Sequence, residues 1–259
     1  MKDNPLVSIL VNCYNSEKHL KDCLNSLINQ TYTNFEIVIW DNKSSDNTKK
    51  IAQSFNDRRI KYFLSNSHKN LVESRIDAWR KLNGSYVAIL DSDDIAYENR
   101  IDIQIKEMRN NRNLAVVGGG VQYIDENGHF LKKKFYLSNS KKIYEEIYSK
   151  FVMNNSTLFF DKIKVDKVGG YSNQYVYIND YDLVYRLSIK YEIHNYQSVL
   201  SQNRIHKNSL SYLDNKIMQK ELYDFLKKIS YSSPNFLIKI KNLISRLKCQ
   251  YRILRSKIS

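Results

Sequence analysis

The stretch Tyr86-Val87-Ala88-Ile89-Leu90-Asp91-Ser92-Asp93-Asp94 decides the fold of this 259-residue chain. Its apolar first half predicts a buried strand, because a continuous apolar run is typical of a parallel sheet that is covered on both faces. The acids then lie at the carboxyl end of that strand, the edge of an open α/β sheet at which ligands bind. Asp91 and Asp93 can both reach one hard cation and the phosphates that it neutralises. A lone D-x-D is more often a solvated turn, so this interpretation depends on the rest of the chain.

The composition limits the class of protein. Three scattered cysteines without metal-ligand spacing predict neither a disulfide framework nor a zinc site. No signal-peptide pattern opens the chain, and no apolar run approaches the roughly 18 residues of a membrane span, so we expect a cytoplasmic protein. The net charge is +14, and nine of the lysines and arginines follow Asp224, after which there is no acid. The basicity therefore belongs mainly to the C-terminal segment.

Strand and helix patterns alternate through the first third of the chain. We predict strands over residues 6–11, 35–40, 60–64 and 86–90, with helices between them, the first capped by Ser16 and the third over 71–82. This alternation is typical of right-handed βαβ units on a parallel sheet, so the polar segments 12–15, 41–48 and 91–94 share one edge. Further along the chain, strands are predicted over 114–118 and 154–160. The sequence contains neither G-x-G-x-x-G nor a P-loop, so a bound nucleotide would need a metal to neutralise its phosphates.

Four segments, in order, resemble the family 2 inverting glycosyltransferases with the GT-A fold. They are Val7-Ser8-Ile9-Leu10-Val11-Asn12-Cys13-Tyr14-Asn15, Ser26-Leu27-Ile28-Asn29-Gln30-Thr31-Tyr32, residues 36–48 and Leu90-Asp91-Ser92-Asp93-Asp94. The resemblance implies an α/β fold, with a Rossmann-like, mostly parallel sheet flanked by helices and a C-terminal helical extension. It divides the chain into a nucleotide-sugar-binding half (1–95), an acceptor-binding and catalytic half of the same domain (96–212), and basic amphipathic helices (213–259).

The resemblance also implies residue roles at the sheet edge. Asp41 would recognise the base, Tyr14 lies in the segment that packs on it, and Arg75 lies near the diphosphate. Asp91 would contact the ribose or the metal, and Asp93 would bind Mn²⁺ or Mg²⁺ directly. Two departures from the family pattern are Asn42 and Lys43, which replace the commoner acid and glycine. The residues assigned to the nucleotide are Asn12, Tyr14, Asn15, Asp41, Arg75, Asp91 and Ser92.

A later segment resembles the family's E-D-x-D-L-x-x-R stretch, with Asn179 in place of the glutamate. The matching Asp180 would be the catalytic base, because an acceptor hydroxyl that attacks a sugar must lose its proton. By spacing alone, helix N-capping by Asp180 or Asp182 is the better interpretation. Only the upstream motifs favour catalysis, and Asp182 is assigned to capping or acceptor positioning.

The segment Arg204-Ile205-His206-Lys207-Asn208-Ser209-Leu210-Ser211 resembles the R-x-H-x-x-S-x-S loop of this family. His206 would complete the metal site or hold the diphosphate, and Arg204 would pair with phosphate oxygens. A lone histidine beside an arginine is ordinarily a surface residue, and both interpretations stand.

The C-terminal segment is predicted to form helices from residue 213 onward, broken at Pro234. The last helix has an apolar stripe against a basic polar face, so it can dock on its own domain, pair with a second subunit as a homodimer, or lie on an anionic membrane. Docking is the ordinary outcome for such a helix. The absence of acids favours the membrane surface.

These patterns together predict a metal-dependent inverting glycosyltransferase. It would move a sugar from a UDP- or dTDP-sugar to a hydroxyl of a glycan acceptor, lipid-linked, at the inner face of the plasma membrane in bacterial surface polysaccharide synthesis. A nucleotidylyltransferase is disfavoured because segment 12–15 lacks a glycine and a base. An inactive sugar-nucleotide or glycan-binding module is the alternative that Asn179 supports. No nucleic acid is expected, since the acids would repel its phosphates.

Overall fold

The computed structural model describes residues 4–207 and 216–255, excluding the side chain of Arg255. Within them one sheet contains strands β1 Val7–Cys13, β2 Phe35–Asp41, β3 Ile60–Leu64, β4 Tyr86–Ile89, β5 Ile95–Ala96, β6 Leu114–Ile124, β7 Phe130–Lys134, β8 Phe159–Asp161 and β9 Glu192–Arg204. The helices are α1 Leu20–Ile28, α2 Thr48–Gln53, α3 Leu71–Trp79, α4 Arg100–Asn110, α5 Ser140–Glu146, α6 Lys162–Lys167, α7 Asn179–Ser188, α8 Lys216–Ser230 and α9 Phe236–Arg255.

The strand order explains which residues share an edge. The order is β3-β2-β1-β4-β8-β6-β9-β5, with β7 paired to β6. Strands β1 to β4 pair in parallel, and β8 is antiparallel to both β4 and β6. Consequently β6 and its parallel partner β9 run in the same direction as β4. The carboxyl ends of β1, β2, β4 and β9 therefore meet at one edge, and the predicted α/β fold with a mostly parallel sheet is confirmed.

The apolar runs of the central strands are continuous because both faces of the sheet are covered. In β1, Ile9 packs in one core cluster and Leu10 in the other, and Ile37 and Val38 of β2 divide in the same way. All four side chains are fully buried. A strand between two helical layers requires apolar residues at every position rather than at alternate positions.

Three local predictions differ from the structure. Residues 154–160 were expected to form one strand, but a one-turn 3₁₀ helix, Asn155–Thr157, precedes the short β8. Helix α1 begins at Leu20, and the Ser16 hydroxyl bonds to that of Ser92 at 2.8 Å instead of capping the helix. Strand β6 extends beyond the predicted 114–118, because a Cβ atom on Gly119 would lie 2.4 Å from Leu200 of β9 and glycine removes this clash.

The C-terminal helices pack against the domain, as the docking interpretation predicted. Phe225 and Leu226 of α8 and Ile238 of α9 belong to one of the two core clusters. Pro234 lies between the two helices, at the predicted break. Among the described residues, no helix combines the length and apolarity required to cross a bilayer. Residues 208–215, which include the end of the R-x-H-x-x-S-x-S segment, lie outside the described residues.

Candidate active site

Asp91, at the end of β4, is held by the 3₁₀ helix that the sequence analysis missed. Asn155 donates to Asp91 Oδ1 at 2.8 Å, and the Ser156 hydroxyl donates to Oδ2 at 3.0 Å. The Asp91 side chain is still 43% exposed. Its carboxylate is therefore oriented by the protein and is still accessible from solvent. The polar run Asn154-Asn155-Ser156-Thr157 was the available signal, because such runs are typical of turns.

Asp94 points inward and is part of the support for the acidic loop. It accepts hydrogen bonds from Asn203 Nδ2 at 2.7 Å and from the Arg204 backbone N–H at 2.8 Å. Burial, together with the charge of Asp93, raises the pKa of Asp94 well above its ordinary value. Asp94 thus joins the end of β9 to the end of β4.

Arg100 is a buried cation beneath the same loop. It is fully buried and donates to the carbonyls of Ile89, at 2.9 Å, and Leu158, at 3.2 Å. Burial lowers the pKa of Arg100 to about 9, and the charge of Asp94 opposes this change. Favourable charge interaction of this kind helps to keep several acids close together. The sequence signal was weak: Arg100 and Gln104 are polar residues one turn apart among apolar neighbours.

Asp93 and His206 form a pair at the junction of β4 and β9. His206 Nε2 lies 2.8 Å from Asp93 Oδ2. Burial and the charge of Asp91 raise the pKa of Asp93, whereas the bond to His206 lowers it. The strand directions thus bring together two residues that the sequence analysis assigned to one metal site.

The donor chemistry of this pair suits Mn²⁺ or Mg²⁺. Within residues 4–207 and 216–255, no three Asp, Glu, His or Cys side chains converge to hold a metal by themselves. Cations at nucleotide sites are commonly bound through one or two carboxylates, with water and substrate phosphates as the other ligands. Like charge at Asp91 and Asp93 also favours a cation between protein and substrate. The residues present therefore fit the predicted cofactor.

Arg204 was predicted to pair with phosphate oxygens, but in the structure its guanidinium bonds to the protein backbone. Its guanidinium donates to the carbonyls of Asp93, at 3.1 Å, and Glu126, at 2.9 Å, and lies 3.5 Å from Asp22. The side chain is 3% exposed. Arg204 thereby fixes the backbone that carries Asp93 and His206, and its contact with phosphate stays a prediction.

The loops after β1 and β2 are linked through Asn15. Its backbone N–H donates to the Ser44 hydroxyl at 2.9 Å, and its side-chain oxygen accepts from the Ser45 N–H at 2.9 Å. Asn15 and Lys43 have positive φ values, 49° and 68°. A left-handed backbone favours glycine, so the conformation of Lys43 explains why glycine is the commoner residue there.

Asp41 is buried in the structure, whereas Tyr14 is exposed. The two oxygens of Asp41 accept from the Ser44 N–H at 2.7 Å and from the Tyr62 hydroxyl at 2.6 Å, and the residue is 1% exposed. Asp41 therefore shapes the turn, and its contact with a base stays a prediction. The Tyr14 ring is packed 4.3 Å from the ring of His68 and has a free outer surface on which a planar group can stack.

Arg75 connects the sheet edge to α7. Its Nη1 donates to Asn179 Oδ1 at 2.6 Å, and its Nη2 lies 3.9 Å from Asp91 Oδ1. The start of α3 is fixed because Asn42 bonds both to the N–H and to the carbonyl of Lys69. Asn179 thus accepts from Arg75 as a glutamate at this position would. The substitution therefore does not remove the link between the two parts of the site.

Asp180 lies in the first turn of α7, close to Arg75 and Asp91. It does not cap the helix: the N-terminus of α7 has no side-chain cap, and Asp182 bonds to Arg186 instead, at 2.8 Å. Asp180 is therefore not the N-cap residue, although its Oδ1 accepts from the Tyr181 N–H of the first turn at 2.8 Å. Burial raises the pKa of Asp180, and the charge of Arg75 opposes that change. A carboxylate with a raised pKa is a better proton acceptor.

Glu221 of α8 holds the segment that leads to Asp180, and the sequence analysis missed this role. Its two carboxylate oxygens accept from the backbone N–H groups of Val176, at 2.9 Å, and Tyr177, at 2.8 Å. The Asn179 side chain donates to the Val176 carbonyl. The C-terminal helices are consequently part of the support of this site.

Several buried polar atoms of this region have no hydrogen-bond partner in the described part of the chain. They include Asn12 Oδ1, Arg75 Nε, Asn155 Oδ1 and Tyr171 Oη. Such atoms are rare in folded proteins because each one costs free energy. Arg75 and Asn155 both adjoin Asp91, so unsatisfied polar atoms are available there to a polar ligand.

Comparison with known proteins identifies the family. The model of Glycosyl transferase family 2 matches residues 8–176, which is more than half of the chain. The chain belongs to this family. The predicted family and enzyme class are thereby confirmed, and this protein is a glycosyltransferase.

Two relatives illustrate the sequence similarity. An uncharacterized glycosyltransferase of Methanocaldococcus jannaschii is 33% identical over 225 residues, which cover 80% of this chain and 77% of that protein. The Escherichia coli UDP-Glc:alpha-D-GlcNAc-diphosphoundecaprenol beta-1,3-glucosyltransferase is 36% identical over 125 residues, 48% of this chain and 49% of its own.

Solved structures share the fold at low sequence identity. Staphylococcus aureus TarS residues 1–349 superpose with a TM-score of 0.71 at 16% identity, covering 96% of this chain and 73% of that one. A Pyrobaculum calidifontis mannosyltransferase in complex with GDP-Man and Mn²⁺ has a TM-score of 0.71 at 12% identity. The match covers 100% of this chain and 76% of that one. At these identities the likeness establishes the GT-A-type fold.

Proposed function

We propose that this glycosyltransferase transfers a sugar from a nucleotide sugar to a hydroxyl of a glycan acceptor, with inversion at the anomeric carbon. The observation that carries the proposal is the position of Arg75, which bonds to Asn179 at 2.6 Å and lies 3.9 Å from Asp91. Arg75 thereby joins the acidic edge, where the donor would bind, to the first turn of the helix that carries Asp180. In this proposal residues 1–95 bind the donor and residues 96–212 bind the acceptor.

Asp180 is the proposed base. It takes the proton of the acceptor hydroxyl as the oxygen attacks the sugar from the face opposite the leaving group. Burial raises its pKa, which favours proton uptake, and Arg75 keeps enough of it ionised to act. The guanidinium of Arg75 would also contact the diphosphate, because this planar cation can bind two phosphate oxygens at once.

A divalent cation is the proposed cofactor. Asp93, His206 and Asp91 would hold Mn²⁺ or Mg²⁺ together with the donor's diphosphate. When bound, such a cation offsets the charge that grows on the leaving diphosphate. Arg204 and Asp94 keep the two chain segments in register through the Asp93 carbonyl and the Arg204 N–H. The remaining predicted donor contacts are those of Asn12, Tyr14, Asn15, Asp41 and Ser92.

A UDP-sugar is the favoured donor and a lipid-linked glycan the favoured acceptor. The E. coli relative is named as an enzyme that uses UDP-Glc on a diphosphoundecaprenol-linked sugar. TarS has been solved in complex with UDP-GlcNAc, and the Pyrobaculum enzyme with GDP-Man. We therefore propose action in surface polysaccharide synthesis at the inner face of the plasma membrane.

Calorimetric titration of UDP, dTDP and GDP, with and without Mn²⁺, tests the donor part of this proposal. We expect UDP to bind only in the presence of the cation. We expect Asp93→Ala to lose this metal-dependent binding. Glu98→Ala, an exposed acid a few residues after the acidic loop, is the matched control. Binding of UDP that is equally tight without metal would refute metal dependence, and tighter binding of GDP would refute the choice of donor.

Transfer itself is tested with UDP-sugars and glycan or undecaprenyl-diphosphate-linked acceptors. The anomeric configuration of the product, measured by NMR coupling constants, distinguishes inversion from retention. A product with the donor's configuration would refute the proposed role of Asp180.

A further inference from the structure

Helix α9 has an inner face that anchors it to the domain. Ile238, Asn242 and Cys249 are buried there. Asn242 donates to the Tyr148 carbonyl at 2.6 Å and to the Leu226 carbonyl at 2.8 Å. These contacts fix the rotation of the helix about its axis. The opposite face is consequently directed away from the domain.

That outer face is apolar and exposed. Its residues follow one another at intervals of four and three, which places them on one side of an α-helix. We call this the outer stripe: Ile240 (38% exposed), Ile244 (47%), Leu247 (54%), Tyr251 (65%) and Leu254 (58%). Phe236 and Leu237, 75% and 71% exposed, extend it at the start of the helix. A contiguous apolar surface of this kind marks an interaction site more often than a free surface.

Basic residues border the outer stripe. Lys248 and Arg252 lie one turn apart along one border, and Lys239 lies on the other, all three exposed. Lys241 is paired with Glu146 of α5. Helix α9 contains no acid at any of its 20 positions. The surface is therefore an apolar stripe between cationic borders.

We propose that the outer stripe lies on the surface of an anionic lipid bilayer, with the helix axis parallel to the membrane. The apolar side chains would enter the interface, and the bordering cations would contact lipid phosphates. A second copy of this chain is a poorer occupant, because self-pairing would bring like-charged borders together with no acid on α9 to oppose them. The inner face is fixed to the domain, so the helix lies along the bilayer over about 30 Å.

This surface is mechanically connected to the active site. Helix α8 packs on α9 through the Leu226 carbonyl, which accepts from Asn242, and α8 also holds the backbone before α7 through Glu221. Membrane contact would thus set the orientation of the acceptor side relative to the bilayer. The inference concerns where the protein binds and does not depend on the proposed reaction.

The test is co-sedimentation of the full chain with vesicles of phosphatidylcholine alone and of phosphatidylcholine mixed with phosphatidylglycerol. We expect binding to the anionic vesicles that weakens with added salt. Leu247→Ser combined with Tyr251→Ser should reduce the partition coefficient by about tenfold or more. Lys248→Gln and Arg252→Gln should each reduce it by about fivefold.

Matched controls use the same chemistry elsewhere on the surface. Ile163→Ser on α6, where the residue is 62% exposed, and Lys49→Gln on α2 should leave vesicle binding unchanged. Equal binding by the outer-stripe variants and the wild type, or no binding to anionic vesicles, would overturn the proposal. So would a dimer in analytical ultracentrifugation that Leu247→Ser abolishes while vesicles bind nothing, because the occupant would then be a second copy.

Discussion

The edge of the sheet and the segment before α7 contribute to one site but are built differently. At the edge, Asp41 and Asp91 accept from groups that adjoin the strands themselves. The segment 176–180 is instead held by single side chains from distant elements, namely Arg75 of α3 and Glu221 of α8. The edge is therefore held by its neighbours in the sheet, whereas the segment, although Ile178 packs in the core, depends on α3 and α8 for its backbone and side-chain bonds. We therefore expect substitutions at Asp180 and in its supports to lower the rate, and substitutions of buried polar groups between the parallel strands to lower the stability.

Asp180→Asn should have the largest effect of all the variants. It should lower the rate of sugar transfer and leave stability unchanged. Loss of a general base costs about 10²- to 10⁴-fold, and we expect the upper half of this range. Turnover of a UDP-sugar with acceptor measures it, and nucleotide affinity and melting temperature should not change. Asp224→Asn, an exposed acid on α8, is the control. Retention of more than a tenth of the activity would assign the base elsewhere.

The pH dependence of transfer should report the same carboxyl. Burial raises the pKa of Asp180 and Arg75 lowers it. Because the base must be ionised, activity should fall as the pH drops, and at a higher pH than for an ordinary aspartate. Removal of the arginine charge in Arg75→Gln should move the acid limb of the kcat profile to still higher pH. A limb that stays in place would contradict the proximity of the two charges.

Glu36→Gln should affect stability and not catalysis, because Glu36 lies near the start of β2, at the edge of the sheet opposite to the acids. The Glu36 carboxylate accepts from Ser8 at 2.6 Å, Lys61 at 2.5 Å and the Asn83 N–H at 2.8 Å. We expect a loss of about 1 to 2 kcal/mol in the free energy of unfolding, because the Ser8 hydroxyl and the Asn83 N–H lose a charged acceptor, whereas Lys61, 45% exposed, can be solvated by water. Urea denaturation measures it, and activity per folded molecule should be normal.

The Glu36 effect also has a defined pH direction. Burial raises the pKa of Glu36, but hydrogen bonds from Lys61, Ser8 and Asn83 lower it by more, so the net shift of the pKa is downward. Its stabilisation is therefore complete above the unfolded-state pKa and is lost as the pH falls through the folded-state value. The difference between wild type and Glu36→Gln should shrink in acid. A constant difference would mean that the effect is one of packing.

Glu221→Gln should reduce kcat by about tenfold with little change in KM, because an amide can accept only one of the two backbone N–H bonds without repulsion. Steady-state kinetics separates the two constants. Glu221→Asp should recover part of the activity if positioning is the cause. A fall in melting temperature as large as that of Glu36→Gln would place Glu221 with the core instead, and the comparison would fail.

Lys43→Gly should have the smallest effect, a gain in stability of about 0.5 kcal/mol. The φ of Lys43 is 68°, which costs free energy for a residue with a Cβ atom. The control is Lys49→Gly in helix α2, which should destabilise by up to about 1 kcal/mol. Thermal denaturation compares the two variants, and a loss of stability in Lys43→Gly would contradict the backbone argument.

The features that could be predicted from the sequence are those that depend on interactions between residues close together in the chain. Continuous apolar runs identified β1, β2 and β4, because burial on both faces leaves a local pattern. The role of Asp180 came from resemblance alone, since its spacing favoured capping, which the structure excludes. Arg100 left only a weak signal, because a polar residue on a helix is ordinarily solvated.

The sequence by itself determined the α/β class, the family and the acids at the strand end, since each is a property of neighbouring residues. Only the tertiary structure decided what holds those acids and which face of α9 stays exposed. Asn155 reaches Asp91 across 64 positions, and Arg75 reaches Asn179 across 104. Contacts at such separations depend on how strands and helices pack, and packing is a property of the whole chain rather than of any stretch of it.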